Sequence, residues 1–150
     1  MMGMKWREML MLHMIVEQTY EYAERMNYDP ATRTFVGTGG ISLLYMRNFT
    51  RPYGWIKESG TPPEPHWGCL LMSDAHYALG DEVEVKVIGV YKRYSGNHEY
   101  VVVEATRDID DYAQLSEEEK NALSRLFHEG AGWLGKEAAE YCMKHHGEAL

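Results

Sequence analysis

Glu82-Val83-Glu84-Val85-Lys86-Val87 is the stretch whose pattern decides the fold of this chain. Successive side chains of a strand point to opposite faces, so this strict alternation puts three valines on one face and three charged residues on the other. Val83, Val85 and Val87 are therefore predicted to be buried together on one side. The phase then slips. Ile88-Gly89-Val90-Tyr91 carries its apolar residues in the other register, and a glycine at the slip marks a bulge or a barrel corner. Ser95-Gly96-Asn97 turns the chain back into Tyr100-Val101-Val102-Val103, a run too continuously apolar to face water. The two strands are expected to pair as the central hairpin.

Upstream, His13 to Gln18 forms a first strand. Tyr28-Asp29-Pro30-Ala31-Thr32 supplies a turn before Thr34-Phe35-Val36, because proline presets φ and aspartate bonds the following backbone. Gly37, Gly39 and Gly40 punctuate the chain before Ile41-Ser42-Leu43-Leu44-Tyr45-Met46, which is predicted as a further strand. The loop from Lys57 to Pro65 holds Gly60, Pro62, Pro63 and Pro65, so it is neither a central strand nor a helix interior. Downstream, Ser116 and Glu119 form a capping box, followed by Ala122, Leu123, Leu126 and Phe127 at helical spacing. A last helix from about Gly135 buries Ala138, Ala139, Cys142 and Met143 and ends in Lys144, His145 and His146, next to the negative end of its dipole. Strands followed by helices make an α+β, mainly β chain: an antiparallel barrel with two C-terminal helices packed outside. Residues 4 to 12 read as a short helix or loose arm, which separates an N-terminal segment, 1–13, from a barrel domain, 14–150.

The chain has 150 residues, the size of one domain. A formal charge of −8 disfavours nucleic-acid binding, which needs basic side chains along the phosphates, and it also opposes single-strand binding by aromatic stacking. Cys69 and Cys142 form neither a CxxC pair nor a disulfide framework, as expected of reduced thiols in a cytoplasm. Lys5, Arg7 and Glu8 interrupt the apolar opening, so neither a membrane span nor a signal peptide is predicted. The N-terminal methionines are read as apolar packing and not as a soft-metal site.

Read in order, Val16-Glu17, Asn27-Tyr28-Asp29-Pro30, Tyr53-Gly54-Trp55-Ile56, Gly80-Asp81-Glu82-Val83-Glu84-Val85 and Ile88-Gly89-Val90-Tyr91-Lys92 resemble the soluble (family I) inorganic pyrophosphatases. The resemblance covers roughly residues 14 to 146. It implies a closed five-stranded, OB-like pyrophosphatase barrel, a metal-dependent hydrolase of pyrophosphate or another phosphoanhydride, Mg²⁺ as cofactor, a small anionic phosphate-containing ligand and a homo-oligomer. By the same resemblance Glu17, Asp29 and Tyr53 are catalytic candidates, and Arg47, Arg51 and Lys92 are substrate-binding candidates.

The departures bear on chemistry. The family's Asp-x-Asp-Pro-x-Asp loop falls on Pro63-Glu64-Pro65-His66-Trp67-Gly68-Cys69, so its three aspartate positions carry Pro63, Pro65 and Gly68. Two further metal aspartates and a lysine are missing from Ser95-Gly96-Asn97-His98-Glu99. Mg²⁺ needs hard oxygen ligands, and hydrolysis needs the phosphoryl charge neutralised. Activity on pyrophosphate is thus expected to be weak or altered. Glu64, His66 and His98, with Glu99 beside them, are candidate ligands for Zn²⁺, Mn²⁺ or Fe²⁺, since imidazole with carboxylate suits those ions. The competing reading makes the histidines ordinary loop residues and the chain a non-catalytic barrel that binds a small ligand. Trp55, Trp67 and Tyr53 are read as core before pocket.

Overall fold

The computed structural model describes residues 12–130 and 132–145, and among them the chain forms eight strands and three α-helices. The alternating stretch is the first half of β6, Glu82–Lys92. One edge of β6 pairs antiparallel with β7, Glu99–Glu104, as the expected central hairpin. The other edge is divided. Its first half takes β1, Leu12–Gln18, and its second half takes β8, Gly132–Gly135. Strand β1 also pairs with β4, Tyr53–Ile56, which pairs with β5, Gly68–Leu71, and β5 runs parallel to β7. The ring β1-β4-β5-β7-β6 therefore closes on itself as a five-stranded mixed barrel, with β8 as an extra strand on β6. Strands β2, Glu24–Asp29, and β3, Thr34–Ile41, form a separate hairpin.

Side-chain alternation sorts the core into two layers. Val83, Val85 and Val87 are 8%, 0% and 5% exposed and share the barrel interior with Leu12, Met14, Ile56, Cys69, Leu71, Tyr100 and Val102. Between Val87 and Gly89 the register shifts, so Ile88 turns outward and Val90 turns in again. Gly89 is needed at this step because a Cβ there would lie 2.6 Å from the Leu134 carbonyl oxygen of β8. The outer layer joins Leu70, Ile88, Val101 and Val103 to Leu44, Phe49, Leu115, Ala122 and Leu123.

Helix α2, Glu117–Ser124, covers that outer layer. Its Ser116–Glu119 capping box is complete: Glu119 N–H donates to Ser116 Oγ at 3.1 Å and Ser116 N–H to Glu119 Oε1 at 3.0 Å. Arg107 also clamps Glu119 and, by that hydrogen bond, holds its carboxyl down at about 2. Helix α3, Lys136–Lys144, follows β8, packs along β6 and adds Ala139, Cys142 and Met143 to the interior cluster. No described helix is long and apolar enough to cross a membrane.

The strand expected over Ile41–Met46 is corrected. Ile41 ends β3, and Leu43–Met46 is a one-turn helix, α1. Its end explains the difference: Phe49 N–H bonds Leu44 O, Asn48 N–H bonds Tyr45 O, and Asn48 takes φ 53, a Schellman closure with Leu44 and Phe49 packed together. Strand β8 had no counterpart in the sequence reading, because four residues bounded by glycines carry no periodic signal. The proposed arm at residues 4 to 12 lies outside the described residues except for Leu12, which opens β1, and so does His146.

Candidate functional site

The turn joining β6 to β7 is held by a histidine. Arg93 N–H donates to His98 Nδ1 at 2.9 Å, so that nitrogen is an acceptor and the ring is neutral with its proton on Nε2. Burial, and then the charges of Lys92 and Arg93, keep His98 below the ordinary imidazole range. Glu99 opens β7 directly opposite Gly68 of β5. Since Gly68 has no side chain, Glu99 can meet Tyr53 of β4 across it, and Tyr53 Oη donates to Glu99 Oε1 at 3.0 Å. A Cβ on Gly68 would collide with both Tyr53 Oη and Glu99 Oε1. The glycine makes the pair possible.

Burial pushes the Glu99 carboxyl above the ordinary carboxylate range, opposed by Arg93, by the Tyr53 hydrogen bond, and by Arg25 and His66. Burial and then Glu99 push the Tyr53 phenol well up. Arg25, on β2, lies 5.6 Å from the Tyr53 ring centre and 3.5 Å from Oε1 of the buried Glu17. Burial raises the Glu17 carboxyl also, opposed by Arg25, by the Tyr28 backbone and by His66. The Arg93 guanidinium stacks 4.4 Å from the Phe127 ring centre, and its Nε is buried without a hydrogen-bond partner.

Around this pair lies a cleft of about 410 Å³ lined by Tyr53, Glu64, His66, Asn97, His98 and Glu99, with Pro63, Pro65 and Gly68 completing its wall. A smaller cavity of about 190 Å³ shares Tyr53 and Glu99 with it and is lined by Arg25 and Arg93. His66 Nδ1 is 2.7 Å from the Glu64 carbonyl oxygen. A carbonyl only accepts, so Nδ1 carries the proton and the Nε2 lone pair is left to accept one when the ring is neutral.

The whole architecture recurs in solved structures. An inorganic pyrophosphatase from Neisseria gonorrhoeae superposes with a TM-score of 0.73 over 93% of this chain and 90% of that one, at 16% identity. That of Thermus thermophilus gives 0.71 over 91% and 89% at 17% identity, and that of Ehrlichia chaffeensis 0.70 over 91% and 93% at 15%. This chain has the inorganic pyrophosphatase fold. No family model and no curated protein matches the sequence.

Placed on the pyrophosphatase fold, the sequence candidates divide. Tyr53, Glu64, His66 and His98 are brought to one cleft, and Glu17 stands behind it beside Arg25. Pro63, Pro65 and Gly68, where the resemblance lays three aspartates, all line that cleft. Asp29 is instead used in the β2–β3 turn, accepting from Ala31 N–H and Thr32 Oγ1 at 3.0 Å each. Arg51 is buried and forks onto Glu118 of α2 at 3.0 and 2.7 Å, so its guanidinium is committed to holding the helix. Arg47 lines a separate depression with Ser124 and His128. The Lys92 ammonium sits 5.7 Å from the Tyr141 ring centre and reaches the cleft only through its charge on His98.

Glu64, His66 and His98 share the cleft without forming a ligand set: among the described residues no three His, Cys, Asp or Glu side chains are grouped to hold a metal ion. His98 uses Nδ1 to hold its turn, Glu99 is bonded to Tyr53, and Glu17 faces Arg25. As placed, the candidate side chains are not gathered around one point as a tetrahedral or octahedral ion requires. The sequence reading missed Arg25 and Arg93. For Arg93 a signal existed, since it follows Lys92 and alternation turns it to the opposite face. Arg25 sits in an unalternating stretch and could be found only through the barrel.

Proposed function

We propose that this chain hydrolyses a phosphoanhydride in the Tyr53–Glu99 cleft. The observation that carries this reading is the Tyr53–Glu99 pair built over Gly68 between Arg25 and Arg93, with two cavities meeting at it. Arg25 and Arg93 bind phosphoryl oxygens, for which a planar guanidinium is the matching donor. Glu99, its carboxyl raised by burial, supplies the proton. The oxygen of a water molecule bonds phosphorus as the bridging P–O bond breaks. The bridging oxygen takes the proton of Glu99, and His66 Nε2 takes the proton that the water releases. Two phosphate products leave, and the His66 proton returns to Glu99 through solvent.

With Pro63, Pro65 and Gly68 on the cleft wall in place of carboxylates, turnover of pyrophosphate stays below about 10 per second, an ordinary enzymatic rate. The test is phosphate release from pyrophosphate and from longer phosphoanhydrides by the wild type, Glu99→Gln and Arg93→Met. Each substitution should lower the rate on the order of a hundredfold. Release by Glu99→Gln at the wild-type rate would sink the assignment of the acid. Binding of phosphate ligands without release by any form would make the chain a binding barrel. A homo-oligomer and a cytoplasmic site of action belong to the same reading, and a mass measurement in solution tests the first.

A further inference from the structure

A separate cavity of about 330 Å³ opens on the other side of the Lys57–Pro65 loop. Its walls are aromatic. Tyr28 and Phe35 are direct partners across the β2–β3 hairpin with ring centres 5.3 Å apart, and Trp55 of β4 lies 5.4 Å from the first and 6.4 Å from the second. Arg33 and Lys57 bring positive charge to the same cavity. Lys57 is paired with Glu82 at 2.9 Å, whereas Arg33 has no salt bridge among the described residues.

Trp55 is 3% exposed, yet its indole Nε1–H is buried without a hydrogen-bond partner. Arg33 adopts φ 57, the left-handed conformation that closes the β2–β3 turn, with its N–H bonded to Asp29 O at 2.8 Å. The turn thus carries a cation with no ion pair among the described residues to the rim of an aromatic cavity. The cavity also adjoins the cleft: the Trp55 and His66 rings meet edge-on at 6.5 Å. One loop gives Lys57 and Thr61 to the aromatic side and Glu64 and His66 to the other.

We propose that the cavity of Tyr28, Phe35 and Trp55 binds the base of a nucleoside polyphosphate whose phosphates lie in the Tyr53–Glu99 cleft. The proposal rests on the reading of that cleft as a phosphoanhydride site and names its substrate class. A base offers a flat π-face to the aromatic walls. Arg33, which lines the same cavity, offers its guanidinium plane for the base to stack on. Inorganic pyrophosphate has no ring and would leave the cavity unused.

The test is calorimetric titration with non-hydrolysable probes: methylenediphosphonate, and the α,β-methylene diphosphates of adenosine and uridine. At least one nucleotide probe should bind tenfold or more tightly than methylenediphosphonate. Phe35→Ala and Arg33→Gly should each erase that advantage and leave the affinity for methylenediphosphonate unchanged. Arg33→Gly should do so without lowering the melting temperature, because glycine relieves the backbone at that position. Equal affinity for ring-bearing and ring-free probes overturns the proposal and leaves the cleft reading intact. An advantage that survives both substitutions also overturns it. Nucleotide binding that depends on Phe35 and Arg33 while methylenediphosphonate fails to bind keeps the base site and removes the phosphate cleft. Binding of none of the probes removes both.

Discussion

The β6–β7 hairpin differs sharply between its two ends. Near Val85 and Val102 every inward side chain is apolar and sealed, and Leu12 of β1 and Leu71 of β5 close over them. Near the turn, the same ladder presents His98, Glu99 and Arg93, with a carboxyl pushed up and an imidazole pushed down by burial. One end gains stability from packing. The other holds polar groups in a partly dry place, where their protonation is set by neighbours and not by water. The rigid end is what lets the polar end keep its geometry.

The largest effect should come from putting charge into the sealed end. Val85→Asp places an unpaired carboxylate at a site with no exposure and should cost about 4–5 kcal/mol or abolish folding, read by denaturant unfolding. A loss below about 1 kcal/mol would mean that the interior is open to water and that the two ends are alike. Gly68→Ala reverses the pattern. Its methyl group must separate Tyr53 from Glu99, so hydrolysis should fall on the order of a hundredfold, while stability drops by only about 1–3 kcal/mol.

Smaller effects sharpen the contrast through pH. The folded-state pKa of Glu99 is raised, so ionised Glu99 disfavours the folded state, and its contribution is lost as pH rises through that raised value. Glu99→Gln should therefore be at least as stable as the wild type at pH 8, and relatively less stable near pH 4. A variant less stable at pH 8 would show that Glu99 is held by stronger ion pairing than Arg93 and Arg25 provide. His98 has the opposite sign. Its depressed folded pKa gives stability that is complete above the ordinary imidazole value of about 6.5 and is lost as pH falls below it. His98→Asn, which keeps an acceptor for the Arg93 N–H, should flatten that acid decline, and an unchanged decline in urea midpoints would remove His98 as its source.

Local physics made much of this protein readable from its residues alone. Alternation over Glu82–Val87 set the inward phase of β6, the glycine after Ile88 marked the bulge, and Ser116 with Glu119 started α2, because each depends on neighbours within a few positions. The loop rich in proline was likewise legible. Tertiary structure alone decided the rest. Leu43–Met46 became a helix because its closing turn could pack Phe49 on Leu44, and Arg51 left the candidate site because Glu118 arrived beside it from α2. Tyr53 and Glu99 stand 46 positions apart and meet over a glycine from a third strand. Such a meeting depends on barrel closure and on register between strands, neither of which is encoded within any window of neighbouring residues.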